Sequence, residues 1–162
     1  MDEDCKDSGE LTVYRLVFTV RLIQIINFFV MATIRRFEDL EIWQLARELA
    51  KNIFKITEQP GFLHEFKLKE QVKGSSGSIM DNIAEGFGRG SRLEFVQFLS
   101  IAKGSADELK SQLHRVSDYN LITEEVFKTH YEQADIVGAK IYSFMDYLNK
   151  TEHKGIKFKD RK

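Results

Sequence analysis

The chain has little that would staple it, break it or anchor it in a membrane. One of its 162 residues is cysteine, Cys5, which excludes an internal disulfide framework and a cysteine-rich zinc site and fits a reducing, cytoplasmic setting. One is proline, Pro60, so proline breaks a helix pattern at that point alone. An excess of one charge is lacking as well. With 24 Lys plus Arg against 25 Asp plus Glu, the formal net charge is −1, and no global basic field draws the protein to nucleic acid. Any phosphate-binding surface has to be local. Near the N-terminus the longest uncharged stretch, Leu22–Ile34, still carries Gln24, Asn27 and Thr33, whereas a membrane span needs about 20 predominantly apolar residues. What is abundant is apolar surface: thirteen phenylalanines and 43% hydrophobic residues, enough for one domain with a real core and too short a chain for two to be expected.

The first thirty residues do not match the rest. Leu11–Met31 is β-branched and aromatic, with Arg15, Arg21, Gln24 and Asn27 scattered through it, and has neither a helical face nor strict alternation. Asp2, Glu3, Asp4, Asp7 and Glu10 precede the apolar run, the reverse of the basic start of a signal peptide. Residues 1–33 are therefore expected to be an N-terminal extension, either poorly ordered or untranslated, with Met31 as the true start. Peptides from before Met31 in mass spectra of the native protein would contradict the second possibility.

From residue 34 onward four helical patterns follow in order. Between Arg36 and Thr57 one apolar row holds Phe37, Leu40, Trp43, Ala46, Ala50, Ile53 and Phe54, and a second holds Ile42, Leu45, Leu49 and Ile56. Spacings of three and four mark a helix, and two adjoining rows predict a buried face wide enough for more than one neighbour. Glu58-Gln59-Pro60-Gly61 ends it. From His64 to Glu85, the positions Leu68, Val72, Ser75/Ser76, Ile79 and Ile83 keep one helical phase through the weak helix formers Gly74-Ser75-Ser76-Gly77-Ser78. Each glycine there costs up to ~1 kcal/mol relative to alanine, and the expectation is that these small side chains admit another helix closely rather than forming a loop. Ser91–Asp118 carries the seam Phe95, Phe98/Leu99, Ala102, Ala106, Leu109, Leu113 and Val116. Thr123 caps a last helix reaching about Asn149, with Glu124 and Glu125 at its positive end. Thr151–Lys162 reads as a basic, flexible tail containing Lys154, Lys157, Lys159, Arg161 and Lys162. Short connections make consecutive helices antiparallel. The expected architecture is all-α: an antiparallel up-and-down four-helix bundle over residues 34–150.

The stretch Ser78–Ser91 joins the second and third patterns. Gly86 is expected just past the end of the second helix, in the left-handed conformation. Ser91 with Glu94 reads as a capping box for the third. Gly86-Phe87-Gly88-Arg89-Gly90 resembles a phosphate loop in composition only, since no strand precedes it and the spacing fits neither a Walker loop nor a dinucleotide fingerprint. A structural turn is the simpler reading, with a phosphate contact on a nucleic-acid backbone next.

Phe37-Glu38-Asp39-Leu40-Glu41-Ile42-Trp43-Gln44-Leu45-Ala46, Leu68-Lys69-Glu70-Gln71, Asn82-Ile83-Ala84-Glu85-Gly86-Phe87-Gly88-Arg89, Glu94–Leu99 and Ile101–Leu109 together resemble the bacterial 23S rRNA intervening-sequence proteins over roughly residues 34–150. The resemblance implies a small helical bundle that assembles into a ring, typically a homopentamer. It also implies kinship with the accessory protein of diversity-generating retroelements, which binds nucleic acid and a reverse transcriptase through a basic ring. Two departures stand out: Met80 occupies a position where many relatives have proline, and Gly74–Gly77 replaces a stretch often carrying arginines.

No catalytic constellation emerges. Neither the Glu-x-x-His pair of a bundle di-iron site nor the Arg-x(4–6)-His pattern of helical ribonucleases occurs around His64, His114, His130 or His153. No metal or cofactor is expected, and the protein reads as a non-enzyme. His130 reads as a core-edge residue and Trp43 as core or a subunit contact. The candidate phosphate ligands are Arg35, Arg36, Lys69, Lys73, Arg89, Arg92 and Lys103, with Lys67 and the tail behind them. Most alternate with Glu65, Glu70, Glu94 and Asp107, as on an ordinary solvated face, but several copies around one axis would add their fields. The sequence thus predicts a cytoplasmic, non-enzymatic, homo-oligomeric scaffold that binds RNA or another nucleic acid. The alternative is a protein-interaction adaptor without nucleic-acid affinity.

Overall fold

The computed structural model describes residues 34–151; the expectations for residues 1–33 and for the tail beyond Thr151 lie outside them. Within the unit that begins at Arg36 there are four long helices, α1 (Glu41–Thr57), α2 (Phe66–Gly88), α3 (Arg92–Asp118) and α4 (Glu124–Lys150), and short 3-10 turns at Phe37–Asp39 and Pro60–Phe62. No strand occurs among the described residues. Each helix packs on the next and α4 returns to α1, with α2 on α3 the most extensive of the four contacts. The short connections make neighbours antiparallel, so this is the expected four-helix bundle.

The helices form where their apolar phase meets this common axis. Ile53 of α1, Val72, Ile79 and Ile83 of α2, Leu99, Leu109 and Leu113 of α3, and Ile141 of α4 are wholly enclosed. Burial of each such side chain contributes about 1.5–3 kcal/mol. The helices depart from the sequence expectation in three places. The first helix starts at Glu41 rather than Arg36, because Leu40 turns extended (φ −75°, ψ 124°) and plunges its side chain into the core. Its first apolar row is buried only in part: Leu40, Ala46 and Ile53 are enclosed, whereas Phe54 is 55% exposed and Trp43 and Ala50 are half-exposed. The third departure is at the α2–α3 junction. Gly86 does not end α2, which runs on to Gly88, and the left-handed residue is Gly90 (φ 65°).

Gly86 has a different task. A Cβ there would lie 2.6 Å from Phe98 Cβ and 2.9 Å from Phe95 Cδ2, so the missing side chain is what lets α3 close on α2. Ser91 does sit at the N-cap of α3, but its side chain makes no capping bond and is buried instead, so the hydroxyl half of the capping box is not formed. Thr123 caps α4 as expected, its Oγ1 accepting from the Val126 amide at 3.3 Å.

The small-residue stretch of α2 stays helical throughout. Its serines, not its glycines, meet α3. The Gln112 amide donates to Ser75 Oγ at 2.8 Å, and the Ser78 and Ser105 hydroxyls share a bond at 2.9 Å. Gly74 and Gly77 have open space where a Cβ would stand.

Candidate nucleic-acid interface

Five of the seven expected phosphate ligands are engaged with carboxylates of their own chain. Arg36, at the entrance to the first 3-10 turn, pairs with Glu38 at 2.9 Å, and Arg89, at the C-cap of α2, pairs with Glu85 one turn back. Lys103 on α3 reaches Asp107 at 2.6 Å. On α2, Lys69 and Lys73 share one carboxylate, Glu58, at 2.9 and 3.2 Å. These pairs set the local protonation. Hydrogen bonds from Lys69 and then Lys73 hold the Glu58 carboxyl below its ordinary range, and one from Lys103 does the same for Asp107. Such exposed pairs contribute little to stability, so an incoming phosphate could displace the carboxylates at small cost.

Arg92 is not available in this way. Its guanidinium crosses to the end of α4, where Nη1 donates to the carbonyls of Leu148 and Thr151, and its Nε is buried without a partner. A cation on the last carbonyls of a helix satisfies orphan acceptors and opposes the negative end of the dipole. Arg92 is therefore a clasp between α3 and α4, and its place next to Arg89 in sequence does not make a two-arginine anion site. Arg35 belongs to the unit preceding Arg36; it and Lys67 are exposed without a carboxylate partner among the described residues. The structure thus joins Lys69 with Lys73 and leaves the other candidates dispersed.

A second feature was only partly legible. Phe54 on α1 and Glu58 at its C-cap face Lys73 and Lys69 on α2: Lys73 Nζ lies 4.7 Å from the centre of the Phe54 ring, and Glu58 holds both lysines. With the two helices antiparallel, Trp43, about three turns earlier on α1, falls level with Ala84 and Phe87 on α2. There the Arg47 guanidinium lies 5.7 Å from the Trp43 ring centre, and Phe37 meets that ring edge-on at 5.0 Å. Between these ends stand Ala50, Gly77 and Met80, all half-exposed. The outcome is a groove along the α1–α2 side in which Trp43 and Phe54 have Arg47 and Lys73 for neighbours, Glu58 holds Lys69 and Lys73, and the acids Glu70 and Asp81 stand exposed on the same helix as the two lysines. The i, i+4, i+11 spacing of Trp43, Arg47 and Phe54 carries this stripe in sequence. It was hidden because the same apolar periodicity also describes a core row.

The histidines form no catalytic or metal cluster. His114 packs against Phe127 and Tyr131 with ring centres 5.1 and 5.2 Å away, and His130 Nδ1 donates to the Val126 carbonyl at 2.7 Å. Among the described residues no three His, Cys, Asp or Glu side chains converge in a way that could hold a metal, and no helix is long and apolar enough to cross a membrane.

Comparison with known proteins places this bundle. The family model described as 23S rRNA-intervening sequence protein matches residues 38–143. A crystal structure from Bacteroides thetaiotaomicron VPI-5482, titled as a protein with unknown function from the S23 ribosomal protein family, shares the fold. Its TM-score is 0.57 at 24% identity over 68% of this chain and 99% of that one. No curated protein matches the sequence.

Proposed function

The chain belongs to the 23S rRNA-intervening sequence protein family, and from that premise we propose that it is a non-enzymatic cytoplasmic scaffold that works as a homo-oligomer, a pentameric ring, and contacts RNA through surfaces that exist only in the assembly. One observation carries the reading: the α1–α2 groove leaves Trp43, Phe54, Met80 and Phe87 partly open to water along the length of the bundle. Large apolar side chains left open along one flank and interspersed with charges support reading it as an interaction surface. RNA contact depends on assembly because the lone chain pairs most of its candidate cations internally, whereas repetition about an axis sums small local excesses such as two lysines on Glu58. The same pairing favours the second reading, a protein adaptor without RNA affinity.

Light scattering followed by RNA titration separates the two. The scaffold reading expects a mass several times 18.9 kDa and affinity for a structured RNA that falls steeply between about 50 and about 200 mM salt, as phosphate contacts require. An oligomer that leaves structured RNA unbound at the lower salt concentration selects the adaptor. A monomer removes the basis for both the ring and the RNA contact.

A further inference from the structure

We propose that the segment following α4 folds back as an extended strap on the α3–α4 flank of its own bundle, seating Ile156 and Phe158 on an open apolar strip formed by Leu93, Val96, Met145 and Tyr142. The contact lies within one chain and stands whether or not the chain assembles or meets RNA.

The strip follows from helical phase. Lys110 and Asp135 join α3 to α4 at 2.8 Å and so mark the sides on which the two helices meet. About two turns beyond Asp135 comes Tyr142, with Met145 beside it, and about four turns before Lys110 comes Val96, with Leu93 beside it. All four therefore border one seam. Leu93 and Tyr142 are 67% and 61% exposed, and Val96 and Met145 are half-exposed. The charged groups along this flank are paired with one another, Lys103 with Asp107, Lys110 with Asp135 and Lys150 with Asp146. An occupant is thus selected by apolar fit rather than by charge.

The chain itself delivers such an occupant to this place. Arg92, next to Leu93, donates to the carbonyls of Leu148 and Thr151, which holds the exit of α4 against the start of α3. Its Nε, buried without a partner, is a donor left for an acceptor arriving at that point. Thr151 is already extended, with φ −86° and ψ 139°. Beyond it, outside the described residues, the sequence Gly155-Ile156-Lys157-Phe158-Lys159-Asp160-Arg161 alternates. In an extended chain residues two apart share a face, so Ile156 and Phe158 turn to one side and Lys157, Lys159 and Arg161 to the other. The reach fits as well. From Leu93 to the level of Tyr142 the strip runs about 14 Å at 1.5 Å per residue, and the extended chain from Thr151 covers up to about 16 Å by Ile156 and about 23 Å by Phe158. Seated in this way, the strap holds three cations in an outward row with no acid among them, unlike the carboxylate-paired cations of the helices.

Two readouts on the full chain test the strap. A photo-crosslinker in place of Phe158 is expected to join α3 or α4 at the strip, and in a mixture of isotopically light and heavy protein to join only segments of the same label. Protection of the strip is the second readout. Cys5→Ser removes the one native thiol, and Ser100→Cys places another on the exposed face one turn from Val96. Its labelling is expected to be several-fold slower than in the same chain carrying Ile156→Asp and Phe158→Asp, with helical circular dichroism alike. Both aspartates fall outside the four helices, so the comparison does not run through folding of the bundle. A crosslink to another segment, a crosslink between light and heavy chains, or equal labelling rates overturns the strap.

Discussion

The two sides of α2 use small residues in opposite ways. Toward α3, Gly86 is pressed against Phe98, Ser75 is bonded to Gln112 and Ser78 to Ser105, and the seam is closed. Toward α1, Gly77, Met80 and Ala84 border an open groove whose aromatic rings have cations for neighbours. A helix that serves as core partner on one flank and as available surface on the other separates folding from recognition within one element. The seam fixes which helices meet and in what register. The groove contributes little to the monomer and is free to bind.

This contrast fails most visibly if a seam residue proves dispensable. Ile79→Ala removes a wholly buried side chain and is expected to cost about 2–5 kcal/mol in denaturant unfolding, whereas Phe54→Ala in the groove should stay within about 0.5 kcal/mol. Equal losses would erase the distinction. The clasp comes next: Arg92→Ala frees the Leu148 and Thr151 carbonyls and is expected to cost about 1.5–3 kcal/mol, the range for hydrogen bonds to a charged group. A change in RNA affinity at constant stability would instead return Arg92 to the phosphate ligands.

The glycines sharpen the comparison by sign. Gly86→Ala forces a Cβ into Phe98 and Phe95 and is expected to destabilise by about 1–3 kcal/mol, as overpacking does. Gly77→Ala meets open space in mid-helix and is expected to stabilise the isolated bundle by about 0.5–1 kcal/mol. The same Gly77→Ala exchange should weaken self-association if another helix lies on that surface.

The smallest effect is electrostatic. Glu58 in the groove and Asp107 on α3 have folded pKa values below their unfolded ones, chiefly through hydrogen bonds from Lys69 and Lys103. The stability they add is full above the ordinary carboxylate range and is lost as pH falls through the folded values. Lys110 is raised, chiefly by its hydrogen bond to Asp135, so its share is lost in the opposite direction, as pH rises through the lysine range. A Tm profile of Asp107→Asn should therefore be flatter than wild type on the acid side. The Ser75–Gln112 and Ser78–Ser105 bonds join groups that do not titrate there.

Much of the fold was legible because apolar periodicity reports core-facing phase, and Leu68, Val72, Ile79 and Ile83 keep that phase through a glycine-rich stretch. What periodicity cannot report is how far a row stands from the axis. Phe54 and Trp43 share the helical spacing of the buried row and yet face water, since only one flank of α1 is covered at their angle. Gly86 was read as a helix stop because glycine serves both left-handed turns and close packing, and only the position of Phe98 decides between them. Arg92 was counted as a surface cation because its partners, the carbonyls of Leu148 and Thr151, lie more than fifty residues away in sequence. The candidate site was least legible where it depended on which cations already hold a carboxylate.

The central claim is that the chain works as a homo-oligomer. Light scattering of the full-length protein at micromolar concentration tests it most directly. The prediction is a mass several times 18.9 kDa; a wild-type mass of 18.9 kDa would contradict it.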